Sequence, residues 1–173
     1  MNKHELHLKI GEHLKSIDIE NTKIIIDPAC GGNQNIPLFL SDTKSNQTEI
    51  CNVDLMIIKN NKIKIIIEIE EANVKPTQIL GKFMTSALAE SHIHKKNKDN
   101  PISMDENVCF IQILDTKKLN KKSNKTKQWD NIEDKIKKLL PSLQTNIKTY
   151  QLFYGNLEDI NLNKISEFIK SQL

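Results

Sequence analysis

Acidic side chains interrupt two strongly aliphatic runs between residues 51 and 71. Asp54 lies in the first run. Glu68 and Glu70 lie two positions apart in the second, so they point to the same face of a strand. Carboxylates this close repel each other by about 1–4 kcal/mol per pair, and a partly buried cluster therefore needs a cation or a proton. Because carboxylate oxygens suit magnesium, calcium or manganese, the spacing predicts a metal site.

The two aliphatic runs are expected to form an antiparallel hairpin, since both are rich in Ile and Val and Asn60-Asn61 lies between them. A two-residue loop would place Asp54 opposite Ile67, whereas a loop of residues 60–62 or a bulge would place it opposite Glu68. We predict the second register, because it buries seven aliphatic side chains on one face at roughly 1.5–3 kcal/mol each. The seven are Val53, Leu55, Ile57, Ile63, Ile65, Ile67 and Ile69.

Other elements must position this hairpin. Apolar residues at helical spacing predict a first helix over residues 2–17 and a helix from Pro76 to about Ser91. Strands are expected at residues 23–27 and 107–114, followed by a helix at 129–140, a strand at 147–154 and a helix at 161–173. A chain of 173 residues is expected to form one α/β (α+β) domain over residues 1–173.

Asp54, then thirteen residues, then Glu68-Ile69-Glu70 resembles the active-site hairpin of the PD-(D/E)xK nuclease superfamily, to which many restriction endonucleases belong. The order helix, three strands, helix, strand over roughly residues 2–114 is similar to the common core of that superfamily. The resemblance implies a restriction-endonuclease-like fold with three antiparallel strands and an additional C-terminal helix-strand-helix. Two departures stand out. No Pro precedes Asp54, and Glu70 occupies the place of the usual Lys, as in some restriction enzymes.

The resemblance also implies roles for residues of the hairpin. Asp54, Glu68 and the carbonyl of Ile69 would bind Mg²⁺ or Mn²⁺, and Glu70 or Lys82 would position or deprotonate the attacking water. The alternative is that Glu70 and Glu71 lie at a solvated strand end and Asp54 is a lone edge charge.

Polar residues on the flanking helices are further candidates. Gln78 and Lys82 are four apart on the helix that follows the hairpin, and Lys82 is the candidate for a lysine moved there from the strand. The alternative is an ordinary solvated lysine. Glu5 or Glu12 of the first helix, and Glu71, are additional possible metal ligands. His92 and His94 are expected to end the second helix, where they would contact phosphate or metal or only complement the helix dipole.

A basic stretch over residues 116–128 is the candidate DNA contact. It is either an arm that follows the phosphate backbone or a solvated loop. All 25 basic residues are Lys, so a bidentate Arg contact to guanine is excluded. The candidate DNA-binding residues are Lys117, Lys118, Lys121, Lys122, Lys125 and Lys127.

These observations predict a magnesium-dependent endonuclease that hydrolyses phosphodiester bonds in double-stranded DNA, in the manner of a type II restriction enzyme. A chain this small would cut both strands as a homodimer. The alternative is a catalytically inactive protein of the nuclease fold that binds nucleic acid or a protein partner. A cytoplasmic location is expected, because no apolar run reaches the roughly 18–20 residues of a membrane span and the polar start is not a signal peptide.

Overall fold

A computed structural model of the chain describes residues 4–71, 74–94, 100–119 and 124–173. Within these ranges the chain forms helices and strands that alternate irregularly along the sequence. The helices are α1 (Glu5–Lys15), α2 (Pro76–Ala87), α3 (Lys125–Leu139) and α4 (Leu162–Ser171). The strands are β1 (Thr22–Ile26), β2 (Ile36–Phe39), β3 (Glu49–Val53), β4 (Leu55–Lys59), β5 (Lys62–Glu70), β6 (Ser91–His92), β7 (Ile102–Asp115) and β8 (Ile147–Gly155).

The strands form an open, mostly antiparallel sheet in the order β1-β4-β5-β7-β6-β2-β3, with β8 also paired to β7. Strands β1, β4 and β5 are antiparallel neighbours. Strand β7 then lies parallel to β5, which requires a crossover, and α2 forms part of that crossover. The first residues of β7 pair with β6, and its later residues pair with β8. The predicted helix-strand-helix at the C-terminus is confirmed as α3, β8 and α4.

Aliphatic side chains cover both faces of the central strands, because β4, β5 and β7 alternate their side chains between two apolar clusters. One cluster contains residues of α1 and α4, such as Ile10 and Ile165. The other contains residues of α2 and α3, such as Phe83 and Trp129. None of the helices in the described ranges is long and apolar enough to cross a membrane.

The hairpin has the predicted register, through a bulge rather than a longer loop. Asn60 and Asn61 have φ angles of 51° and 58° and form a two-residue turn between paired Lys59 and Lys62. The register shifts at the bulge beyond this turn, so that Leu55 lies opposite Ile67. One step further along the strands, Asp54 therefore faces Glu68.

The prediction that seven aliphatic residues share one face is wrong for two of them. Val53 and Ile63 belong to the cluster of α2 and α3, whereas the other five belong to the cluster of α1 and α4. Val53 differs because it ends the separate strand β3, which pairs with β2. Ile63 differs because it precedes the bulge, which reverses the alternation of side chains.

The second helix is shorter than predicted, and the histidines do not end it. Helix α2 stops at Ala87, and His92 lies in β6 with no exposed surface. Its Nδ1 donates to the carbonyl of Pro37 at 2.8 Å, and burial lowers the pKa of His92. The expected contact of His92 with phosphate or metal is therefore wrong. Strands β2 and β6 were not predicted, and β3 was predicted only in part, as the beginning of the first hairpin strand.

Candidate functional site

Asp54 occupies the break between β3 and β4, where the chain passes from pairing with β2 to pairing with β1 and β5. Its Oδ2 accepts a hydrogen bond of 2.7 Å from the backbone N–H of Ile69 in β5. Its carbonyl accepts another of 2.9 Å from the N–H of Asp27, just after β1. Both bonds hold the residue in place, so the carboxylate has a fixed position beside β5.

Glu68 is fully buried in the middle of the sheet, and this is the strongest anomaly of the chain. A buried carboxylate is costly unless it is paired. Its Oε2 lies 2.9 Å from Nζ of Lys82 in α2, but its Oε1 has no hydrogen-bond partner among the described residues. Burial first, and the neighbouring charge of Asp54 second, raise the pKa of Glu68 well above its ordinary value. Burial and Asp54 therefore disfavour the ionised form of Glu68 more strongly than Lys82 favours it.

Lys82 reaches this carboxylate from the first half of α2. The helix begins at Pro76, and the side chain of Gln78 accepts a 2.8 Å bond from the backbone N–H of Lys75, which fixes the first turn. Burial alone would lower the pKa of Lys82, but the charge of Glu68 outweighs it and the pKa stands above its ordinary value. Lys82 is therefore a charged residue in an ion pair with Glu68, and the alternative that it is an ordinary solvated lysine is excluded.

Glu70 ends β5 on the same face as Glu68 and is partly buried. Burial raises the pKa of Glu70, and Asp54 raises it further, while Lys82 and His7 oppose the shift. Three carboxylates thus share one lysine. If all four groups were ionised, the cluster would carry two excess negative charges, which would favour a cation or a proton.

A groove of about 840 Å³ opens beside this cluster. The predicted site residues Asp54, Glu70 and Lys82 line it, as do Ile69 and Gln78, whereas Glu68 lies beneath its floor. Its other walls come from the first turn of α1, from α2 and from the segment after β7. These further residues are His4, Glu5, Leu6, His7, Glu71, Gly81, Thr85, Asp115, Lys117, Lys118 and Leu157.

Glu71 holds α1 against the end of β5. Its Oε1 accepts the backbone N–H groups of Leu6 at 2.5 Å and His7 at 3.0 Å, which would otherwise be unpaired at the start of the helix. Burial would raise the pKa of Glu71, but the hydrogen bonds from His7 and Leu6 and the charge of His7 lower it overall. The structure therefore gives Glu71 the role of a helix cap.

His7 was not predicted as a site residue, but it contacts the carboxylates of both Asp54 and Glu71. Its Nε2 lies 3.7 Å from Oδ2 of Asp54, and its Nδ1 lies 3.2 Å from Oε1 of Glu71. His4 packs edge-on against it, with 5.1 Å between the ring centroids. The spacing of the two histidines, three residues apart at a helix start, is the only signal that the sequence offered.

Glu5 and Glu12, the two candidate ligands on the first helix, lie in different places in the structure. Glu5 lies at the groove and pairs with Lys117 at 2.8 Å. Glu12 is exposed and is not among the described residues that line the groove. Glu12 lies about two turns further along α1 than Glu5, so the structure does not bring it to the carboxylate cluster.

The described residues of the predicted basic stretch divide between a turn after β7 and the start of α3. Lys117 and Lys118 follow β7 and line the groove. Lys125 and Lys127 belong instead to α3, so the expectation of one extended stretch to residue 128 is wrong. Lys121 and Lys122 lie outside the described residues.

The arrangement as a whole is one buried carboxylate, Glu68, next to the partly exposed carboxylates of Asp54 and Glu70 and the ammonium group of Lys82, which line an open groove. It offers oxygen ligands and a charged donor to a molecule that enters the groove. Comparison with family models, with curated proteins and with solved structures found no match to this chain.

Proposed function

We propose that this protein is a metal-dependent phosphodiesterase that acts on DNA, with its centre at Asp54, Glu68, Glu70 and Lys82. The observation that carries the proposal is Glu68, a buried carboxylate with one oxygen paired to Lys82 and the other without a partner among the described residues. A buried carboxylate with only one of its two oxygens paired opposes folding, so a functional requirement is the natural reason to keep it.

The residues fit a hard divalent cation. The unpartnered Oε1 of Glu68, the adjacent carboxylate of Asp54 and the carbonyl of Ile69 are all oxygen donors, as Mg²⁺ or Mn²⁺ requires. The ion would supply Lewis acidity toward a phosphate oxygen and lower the pKa of a bound water.

Lys82 and Glu70 provide the other groups that phosphodiester hydrolysis needs. Both line the groove, so both can contact a bound phosphate or water. Lys82 carries a positive charge that would complement charge developing on the phosphate. Glu70 has a pKa raised by burial, which makes its carboxylate a better proton acceptor for an attacking water.

The connectivity supports the more specific assignment to a restriction-endonuclease-like fold. Helix α1 precedes the antiparallel strands β1, β4 and β5, and β7 then adds parallel to β5 after α2. This is the order that the resemblance to PD-(D/E)xK nucleases implies. Strands β2, β3 and β6 are additions between these elements.

The proposed substrate is duplex DNA. Lys117 and Lys118 line the groove, where lysines would pair with backbone phosphates, and Lys117 would exchange its ion pair with Glu5 for such a contact. One groove of this size would hold one scissile phosphate at a time, so cutting both strands would use a symmetric homodimer, as in a type II restriction enzyme.

One observation favours a second candidate, an inactive nuclease-fold protein that binds nucleic acid or a protein partner. The ion pair between Lys82 and Glu68 neutralises one carboxylate without any metal. A protein that had lost its chemistry could keep this pair for stability alone.

Cleavage of supercoiled plasmid in Mg²⁺ separates the two candidates. We expect the wild type to nick or linearise the plasmid, Asp54→Asn to lose at least about 100-fold in rate, and the exposed control Glu12→Gln to retain the wild-type rate. Binding of plasmid without Mg²⁺- or Mn²⁺-dependent cleavage would support the inactive candidate instead.

A further inference from the structure

A second group of potential ligands lies next to the carboxylate cluster. His4, His7 and Glu71 each offer one ligand atom, and these atoms all lie within 4.8 Å of one another. His7 is only 6% exposed, and its Nδ1 lies 3.2 Å from Oε1 of Glu71 without the alignment of a regular hydrogen bond. A buried imidazole nitrogen with so poorly aligned a contact requires an explanation.

The spacing of this group matches the coordination geometry of a small transition ion. Bond lengths of about 2.0–2.2 Å and tetrahedral angles place neighbouring ligand atoms about 3.4 Å apart. Nδ1 of His7 and Oε1 of Glu71 are 3.2 Å apart and already satisfy this spacing. The ligand nitrogen of His4 lies within 4.8 Å of the ligand atoms of His7 and Glu71. Because His4 is exposed at the start of α1, a rotation of its ring can shorten these distances.

We propose that His4, His7 and Glu71 form a second metal site, which takes an imidazole-binding ion of the Zn²⁺ class. Two imidazoles and one carboxylate are a ligand set of Zn²⁺ sites that keep an open position, and the groove would supply a water there. Mg²⁺ would bind this set weakly, because it prefers oxygen ligands and two of the three ligands are imidazole nitrogens. The two proposed sites therefore differ in the class of ion that they bind.

Asp54 connects the second site to the first. When Nδ1 of His7 binds an ion, its Nε2 carries the proton, and that nitrogen lies 3.7 Å from Oδ2 of Asp54. A carboxylate behind a ligating histidine orients the ring and strengthens the ligand. Asp54 would then be a ligand of one ion and a positioning residue for the other.

The positive end of α1 works against a cation here, since the N–H groups of Leu6 and His7 point at the same oxygen of Glu71. The ligand contacts must outweigh this effect. We therefore expect affinity in the micromolar range, weaker than that of structural zinc sites.

The test is Co²⁺ absorption and Zn²⁺ calorimetry on the tag-free full chain in excess Mg²⁺. We expect one Zn²⁺ per chain and a visible Co²⁺ band without a thiolate charge-transfer band. His7→Ala should weaken Zn²⁺ binding at least about 100-fold and His4→Ala about 10-fold or more. His13→Ala, on the same helix but bonded to Ser166, should bind as the wild type does.

Two further results keep the proposal separable from the nuclease proposal, because neither requires activity. Glu68→Gln removes the central carboxylate of the first site and should leave Zn²⁺ affinity unchanged. His4→Ala alters an exposed side chain, so it tests the site even if His7→Ala does not fold. Wild-type affinity in His4→Ala, or a thiolate band that assigns the ion to a cysteine, would overturn the proposal.

Discussion

Replacing Lys82 by Met should destabilise the protein in a pH-dependent way. The change keeps most of the aliphatic stem but removes the ammonium group 2.9 Å from the fully buried Glu68. Breaking a buried ion pair costs about 3–5 kcal/mol. Because the side chain of Lys82 is 35% exposed and water can reach it, we expect about 2–3 kcal/mol at neutral pH.

The sign of the pH dependence follows from Glu68. Its pKa is already raised in the folded state, and loss of Lys82 would raise it further. Below about pH 4, near the ordinary pKa of a glutamate, Glu68 is protonated in both the folded and the unfolded chain, so the substitution costs little. As the pH rises through the pKa of Glu68 in the folded wild type, Glu68 ionises in the wild type, where Lys82 stabilises its charge. In Lys82→Met the pKa of Glu68 is higher, so Glu68 stays protonated and the variant becomes less stable relative to the wild type.

The assay is urea unfolding in chelator at the two ends of a range from about pH 4 to about pH 9, with Glu68→Gln and the double variant as controls. Lys82→Met should cost more at the higher pH. In the Glu68→Gln background it should cost less than about 0.5 kcal/mol, since no buried charge is left unpaired. Equal costs at both pH values, or in both backgrounds, would refute the reasoning.

Three other expectations concern stability. Gly11→Ala should cost about 3 kcal/mol or more in urea unfolding, because a Cβ there would lie 2.0 Å from the carbonyl oxygen of Cys30. The control Gly81→Ala has open space and should gain about 0.5–1 kcal/mol. Glu71→Gln should cost about 1 kcal/mol at neutral pH through the helix cap. That cost should vanish as acid titrates Glu71 through its lowered pKa, as unfolding at several pH values would show. Millimolar Mg²⁺ should raise the melting temperature of the wild type by about 3 °C but not that of Asp54→Asn.

The hairpin was predictable because its physics is local. Burial of aliphatic side chains favoured the register that faces Asp54 with Glu68, although Val53 and Ile63 pack in the other cluster, and the helical repeat placed Lys82 away from the apolar face of α2. The bulge and the turn at Asn60-Asn61 were one of two allowed solutions, and only the three-dimensional structure distinguishes them.

Strands β2 and β6 escaped prediction because their pairing is not local. Strand β2 has four residues and contains Pro37, which lacks a backbone N–H and disfavours a strand in sequence. The carbonyl of Pro37 accepts a hydrogen bond from His92, a residue 55 positions away. Strand β6 has two residues, too few to show any periodicity.

His7 escaped for a related reason. On the sequence it is one polar residue near the start of an amphipathic helix. Its contacts with Asp54 and Glu71 arise only when β5 ends beside α1. A side chain that is defined by two distant partners leaves no pattern within its own segment.

The most direct test of the proposed site is the single-turnover rate of plasmid cleavage in Mg²⁺ for Glu68→Gln against the wild type. This variant keeps the size and shape of the side chain, and Lys82, whose side chain is 35% exposed, can be hydrated when its partner is lost, so the variant should fold at neutral pH about as stably as the wild type. We expect the wild type to cleave and Glu68→Gln to lose at least about 100-fold in rate while unfolding at about the same urea concentration. Cleavage by Glu68→Gln at the wild-type rate, or no cleavage of any DNA by the wild type, would contradict the account.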